Sequence, residues 1–311
     1  MNRTTRPLAV LLICLALVTA AACGAKEEAT PKSAGLEVVA TTAVLGEVAT
    51  RVAGSGAAVH VLIERDLDPH GFTASAADIA LLSTADLVVA NGLSLEAGIV
   101  DALAAVEAEG TPVLRLAELV DPLPFSGSAA ATDGLDPHFW HDPIRMALAA
   151  DRVASALSEL SPEASATWHE NAAVLGTEIS RTHDRVVQIL NAIDPVDRKL
   201  VTNHDSLSYL AARYDFEVVA TVIPGGSTVG SPSAADLSDL VATLRDTGVT
   251  AIFAETTQSD SLAEAVAAEL GHDVAVISLY SGGLGPIGSP ADTYTGMLVV
   301  NAELIVAGLA R

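Results

Sequence analysis

Cysteine is nearly absent from this chain: there are two in 311 residues, Cys14 and Cys23. Both precede the part that reads as folded, so the body has neither a disulfide framework nor a thiolate zinc site. Positive charge is scarce too. Sixteen Lys and Arg stand against 39 Asp and Glu, a formal net charge of −23, which argues against a nucleic-acid partner and for a surface that attracts cations in general. Solubility or salt adaptation accounts for much of that charge, so it is only weak support for metal handling. The chain also lacks a His-Glu-x-x-His helix, a nucleophile elbow and a histidine-rich loop, so the usual sequence marks of a hydrolase are missing.

What is present begins with an address. Arg3 and Arg6 precede an apolar run over residues 8–18 and then Thr19-Ala20-Ala21-Ala22-Cys23. That is the charged, apolar and small-residue order of a secretory signal, expected over residues 1–22. The run is too short to stay as a membrane-spanning helix. Small residues ending in Cys23 resemble a bacterial lipobox. Cys23 would then carry lipid, residues 23–35 would form a polar tether, and the mature protein would sit on the outer face of the cytoplasmic membrane. Loss of residues 1–22 removes Arg3 and Arg6 and no acid, taking the formal charge from −23 to −25.

With half of its residues hydrophobic, the chain is long enough for two cores. Strand-like runs at 36–40, 58–63, 87–91 and 112–116 alternate with helical patterns at 43–52, 75–83 and 95–106. Strands at 199–203, 218–223, 251–254 and 274–279 alternate in the same way with helices at 207–214, 234–245, 262–270 and 293–310. This is the α/β pattern of two lobes, each a parallel sheet with crossover helices. Ser75 and Asp78 approximate a capping box, and Asp142-Pro143 starts a helix running to about residue 157. Residues 121–134 read as a surface loop.

Between the halves, residues 163–193 hold no proline and one glycine, Gly176. Trp168, Ala172, Leu175, Ile179, Val186, Ile189 and Ile193 fall three, four or seven apart, the stripe of one long amphipathic helix. At about 1.5 Å per residue it would span roughly 45 to 50 Å and act as a rigid strut. The expected division is therefore an N-terminal lobe over 36–160, a linking helix over 161–194 and a C-terminal lobe over 195–311.

One phrase is written twice: Leu67-Asp68-Pro69-His70 and Leu135-Asp136-Pro137-His138. Proline fixes its own φ and holds the residue before it extended, so each imidazole is presented from a stiff loop. His204 ends the first strand of the second half. All three histidines lie beyond carboxyl ends of parallel strands, where open α/β sheets place ligands. Three imidazoles, two from one lobe and one from the other, suggest a metal site in the cleft between lobes.

At this point the chain resembles the metal-binding lipoproteins of zinc and manganese ABC importers, a class of extracytoplasmic solute-binding protein. The resemblance rests on Asp68-Pro69-His70 with Asp78, Asn91-Gly92-Leu93 with Leu95-Glu96, and Asp136-Pro137-His138-Phe139-Trp140 with Asp142-Pro143. It continues in His204-Asp205 with Tyr209-Leu210, Phe253-Ala254-Glu255, and Asp292-Thr293-Tyr294 with Gly296-Met297. It implies two α/β lobes joined by a single long helix, His70, His138 and His204 as metal ligands, an importer permease as partner, and a monomer with no catalytic activity. One departure stands out. Where such proteins carry a ligating aspartate after Leu-Tyr, this chain reads Leu279-Tyr280-Ser281-Gly282-Gly283, and Gly282 has no side chain to offer. Water, Glu255 or another carboxylate would fill the fourth place, with Glu255 as ligand or as an acceptor orienting a histidine.

Three neutral imidazoles favour Zn2+, with Mn2+, which prefers oxygen, also possible; manganese-binding relatives often have a carboxylate where His204 stands. His141 is a candidate for capture or for substitute ligation. His60, His169, His183 and His272 read as strand, helix-surface and turn residues. Two other functions remain open on sequence grounds: a zinc-dependent hydrolase with Glu255 as base, and an adhesin or structural lipoprotein with a degenerate metal site.

Overall fold

The structure, a computed structural model, describes residues 35–126, 134–271 and 273–310. The expected signal, Cys23, nearly all of the tether, part of the 121–134 loop and His272 fall outside the described residues.

The first sheet holds β1 (Leu36–Thr42), β2 (Ala57–Ile63), β3 (Leu87–Ala90) and β4 (Val113–Arg115), in the order β2-β1-β3-β4. The second holds β5 (Lys199–Thr202), β6 (Glu217–Thr221), β7 (Ala251–Glu255) and β8 (Ala275–Leu279), in the order β6-β5-β7-β8. Every strand pair is parallel. The central strands are buried along their length, as befits sheets covered on both faces: all of β3 and β7 is buried. In each sheet the strand order reverses between the first strand and the third. The carboxyl ends of β1/β3 and β5/β7 are therefore switch points, where the chain leaves in opposite directions and opens a crevice.

Helices α1 (Ala43–Ala53), α2 (Ala76–Thr84) and α3 (Val100–Ala108) serve the first sheet, while α6 (Ser208–Tyr214), α7 (Ala234–Thr247), α8 (Ser261–Glu269) and α9 (Tyr294–Leu309) serve the second. Local chemistry marks their starts. Ser75 with Asp78 and Ser233 with Asp236 form reciprocal capping boxes, each satisfying two donors the first turn leaves over. One expectation misplaces a start: the helix foreseen from residue 95 begins at Val100. Leu93 and Ser94 are left-handed (φ 50° and 60°), and the Glu96 carboxylate turns inward to accept from Thr41 Oγ1 at 2.5 Å, Asn91 N at 2.8 Å and Gly92 N at 3.3 Å. Closing that loop outweighs an earlier helix start.

Between the two sheets in sequence lie α4 (Pro143–Leu160) and the 26-residue α5 (Ser165–Leu190). Gly176 does not break α5; a Cβ there would meet only Ala147 Cβ, at 3.9 Å. The segment is no isolated rod. After a turn at Pro162–Ala164, α5 packs along α4, and it also lies against α1 and α9. Its stripe of Trp168, Ala172, Leu175, Ile179, Val186 and Leu190 is buried, and one apolar cluster runs through it from Val38 to Ile305, taking in residues of both sheets. Two α5 side chains also finish α1: Trp168 Nε1 donates to Ala53 O at 3.3 Å and Asn171 Nδ2 to Val52 O at 2.9 Å. A helix end leaves carbonyls over, and Ala53 O also accepts from Gly56 N at 3.0 Å.

Candidate metal centre

The two Asp-Pro-His segments fold into the same local turn. Asp68 Oδ1 accepts from His70 N at 3.0 Å, and Asp136 Oδ1 accepts from His138 N at 2.8 Å, an Asx turn that aims each imidazole away from its own strand. The first turn follows β2. The second stands between β4 and α4, and it is braced from both lobes: Asn91 Nδ2 donates to Pro137 O at 3.0 Å and Tyr209 Oη to Asp136 O at 2.8 Å. His204 leaves the end of β5, with its carbonyl held by Thr202 Oγ1 at 2.7 Å and Ser206 N at 2.9 Å.

Their rings converge. His138 Nε2 lies 3.1 Å from His70 Nε2 and 3.2 Å from His204 Nε2, and one ligand atom from each of the three residues falls within 4.8 Å of the others. All three side chains are buried, with His70, at 7%, the most exposed. Tetrahedral bonds of about 2.0–2.1 Å to a common ion would put such nitrogens about 3.3 Å apart, so the spacing suits an ion of zinc's size. Among the described residues no fourth His, Cys, Asp or Glu joins this convergence.

Outer nitrogens fix which face each ring presents. His138 Nδ1 lies 2.7 Å from Asp136 Oδ1 and donates to it, which leaves the Nε2 lone pair pointing inward. His204 Nδ1 lies 2.5 Å from Glu255 Oε1, an ion-pair contact without an aligned hydrogen bond. Glu255 therefore stands on the outer side of His204, at the end of β7.

Burial pushes His70 down to about 3 and His138 well below the ordinary histidine range, and like charge on neighbouring histidines adds to both shifts. Burial likewise pushes the Asp136 carboxyl well up. A dication at the three Nε2 atoms would reverse that preference and favour the carboxylate. His204 goes the other way: burial pulls it down, but Glu255, Asp68 and Asp136 outweigh burial and hold it above the ordinary value. Glu255 is correspondingly lowered, with His204 foremost among the histidines that overcome its burial.

Buried polar atoms without partners gather round the triad. They include Asp136 Oδ2, His141 Nδ1, Asn203 Nδ2, Thr257 Oγ1 and Ser281 Oγ. Such groups are rare in interiors, and together they mark a place built for a polar guest.

The β8 loop closes one side. Ser281 O accepts from Trp140 Nε1 at 2.9 Å and lies 3.2 Å from His141 Nε2. A Cβ on Gly282 would stand 2.9 Å from Thr257 Oγ1 and 3.6 Å from Pro69 Cδ, while one on Gly283 would stand 2.1 Å from Arg65 O. Gly283 is thus required by a close backbone approach between lobes, whereas Gly282 has room for a side chain if Thr257 turns. His141 is fully buried and pushed down to about 4, chiefly by burial, and it braces this loop outside the convergence. His60 pairs with Glu37, His169 with Asp151 and His183 with Tyr214, all away from the site.

Sequence reasoning missed the clamp on Ser281 and the second acceptor role of Asp136. The aspartate before each proline was the available signal, because Asx turns need that side chain.

Two parallel-sheet α/β lobes hold a histidine triad in the cleft. The family model for zinc-uptake complex component A, periplasmic (ZnuA), matches residues 38–308, and the chain belongs to this family, the substrate-binding proteins of metal ABC importers. It is 26% identical over 302 residues to the manganese-binding lipoprotein MntA of Halalkalibacterium halodurans, covering 97% of each chain. It is 29% identical over 281 residues to the zinc-binding protein TroA of Treponema pallidum, covering 88% of this chain and 89% of that one. The solved structure of the Treponema pallidum periplasmic zinc-binding protein TroA superposes with a TM-score of 0.82 at 27% identity, over 89% of this chain and 100% of that one. Among the described residues no helix is long and apolar enough to cross a membrane.

Proposed function

We propose that this protein captures a divalent transition metal, zinc foremost, through His70, His138 and His204, and hands it to an importer permease. The observation that carries the reading is the meeting of three Nε2 atoms, those of His70 and His204 lying 3.1 and 3.2 Å from that of His138, in a buried setting that favours the unprotonated form of His70 and His138. Three neutral nitrogen donors suit zinc better than manganese. The manganese reading has its own support in the likeness to MntA. Solvent completes the shell beside Gly282, and Glu255 orients His204 from outside. Lipid on Cys23 tethers the protein to the outer face of the cytoplasmic membrane, so Cys23→Ser should release it; unchanged membrane retention would refute the anchor. Metal analysis of protein purified without added metal, followed by competition titration with zinc and manganese, tests the cargo. One zinc per chain and a preference for zinc are expected. Absence of zinc binding, or a preference for manganese, would overturn it.

A further inference from the structure

The loop between β2 and α2 carries His70, and the same loop is tied across the cleft to segments after β6, β7 and β8. Asp68 turns one oxygen to its own loop, Oδ1 to His70 N at 3.0 Å. It turns the other to the opposite lobe, where Oδ2 accepts from Thr228 Oγ1 at 2.5 Å and Gln258 Nε2 at 2.6 Å. Three residues earlier, Arg65 Nη1 donates to Gly285 O at 3.2 Å and Asp292 O at 2.7 Å. Thr228 follows β6 and Gln258 follows β7, so one carboxylate gathers three loops around the most exposed of the three histidines.

From this geometry we infer that Asp68, Thr228 and Gln258 form a latch that sets the rate at which metal leaves, a role that rests on the triad being the metal site. Hydrogen bonds to an ionised acceptor are the strong ones, more so when partly shielded from water. Thr228 is buried and Asp68 and Gln258 are half-buried. A metal leaving past His70 requires that loop to lift, and lifting it means parting Asp68 Oδ2 from both donors. The latch touches no atom of the triad on its far side. Thr228 and Gln258 are therefore positioning residues, acting through Asp68 and the His70 loop.

Thr228 and Gln258 can be changed without touching the histidine loop. Zinc-loaded protein mixed with excess chelator in a stopped-flow instrument gives the release rate, and mixing unloaded protein with zinc and an indicator gives the association rate. Thr228→Val, which keeps shape and loses the donor, and Gln258→Leu should each speed release about tenfold, and the pair together more, with association unchanged. Thr228→Ser keeps the hydroxyl and should restore wild-type release, which a mere packing role would not do. Gln258→Glu keeps the volume, sets a carboxylate against Asp68 and should speed release at least as much as Gln258→Leu, giving a second route should the paired variant fold poorly. Zinc uptake by wild type, with release from folded Thr228→Val and Gln258→Glu at the wild-type rate, would overturn the latch alone. No zinc uptake by wild type would overturn the site and the latch with it.

Discussion

The two Asp-Pro-His loops share a turn and differ in what their aspartates do next. Asp136 is fully buried and spends Oδ1 twice on its own histidine, on His138 N and His138 Nδ1. Asp68 is half-buried, leaves the His70 ring to other contacts and offers Oδ2 to the opposite lobe. A repeated phrase thus builds one ligand made rigid by its own carboxylate and one whose loop is tied to the opposite lobe. The turn is local chemistry, but what the second carboxylate oxygen meets is decided by the fold.

That contrast can be broken most forcefully at its rigid end. His138→Ala removes a ligand and strands the buried Asp136 carboxyl, and should weaken zinc binding by about a hundredfold, against about tenfold for His70→Ala. Calorimetry on both variants checks the order, and equal losses would erase the distinction drawn between the loops.

Acid sharpens the contrast by bringing in His204. Metal binds unprotonated imidazole, so bound metal displaces whatever proton the site holds. His70, near 3, and His138, well below the ordinary range, hold none at neutral pH, while His204 is raised. Zinc affinity should therefore fall by at least about tenfold per pH unit as pH drops below the raised value of His204, more where the buried Asp136 carboxyl also gives up a proton. Competition titrations across pH 5 to 8 give the slope, and an affinity that does not fall with acid would show that the metal displaces no proton from His204.

A subtler comparison is Asp136→Asn with Asp68→Asn. The first takes the charge from the acceptor behind a ligand and should cost about tenfold in equilibrium affinity. The second keeps an amide oxygen for His70 N but turns the amide nitrogen toward the Thr228 and Gln258 donors, so its cost, at least about tenfold, should lie in faster release with association unchanged. Unchanged affinity in Asp136→Asn would deny Asp136 its special role.

The smallest effect concerns the loop that lacks a side chain. If solvent fills the fourth place, Gly282→Asp should tighten zinc binding a few-fold, limited by the 2.9 Å approach of its Cβ to Thr257 Oγ1, and Glu255→Gln should change affinity less. A full histidine-sized loss in Glu255→Gln would make Glu255 the ligand instead.

Much of this is legible in the sequence. Strand runs, the Ser75–Asp78 capping box and the placement of three histidines beyond strand ends all rest on local pattern, and Asp-Pro-His announces its own stiffness, whereas the matching Ser233–Asp236 box was not read there. The helix after β3 begins late because the Glu96 side chain folds inward to serve Asn91 close by and Thr41, 55 positions away, and only the fold brings Thr41 there. The long amphipathic stripe showed that α5 buries a face, but not that α4, α1 and α9 share that face between them. Thr228 and Gln258 carry no motif at all. They matter only because the fold brings them within reach of an aspartate 160 and 190 residues earlier.

In the proposed site three imidazoles meet the metal through Nε2 with solvent in the fourth place. Zinc K-edge X-ray absorption on protein loaded with one equivalent of zinc reads that shell. Three imidazole nitrogens and one light oxygen at about 2.0–2.1 Å are expected; a shell with fewer than three imidazoles, or one dominated by carboxylate oxygens, would refute the site.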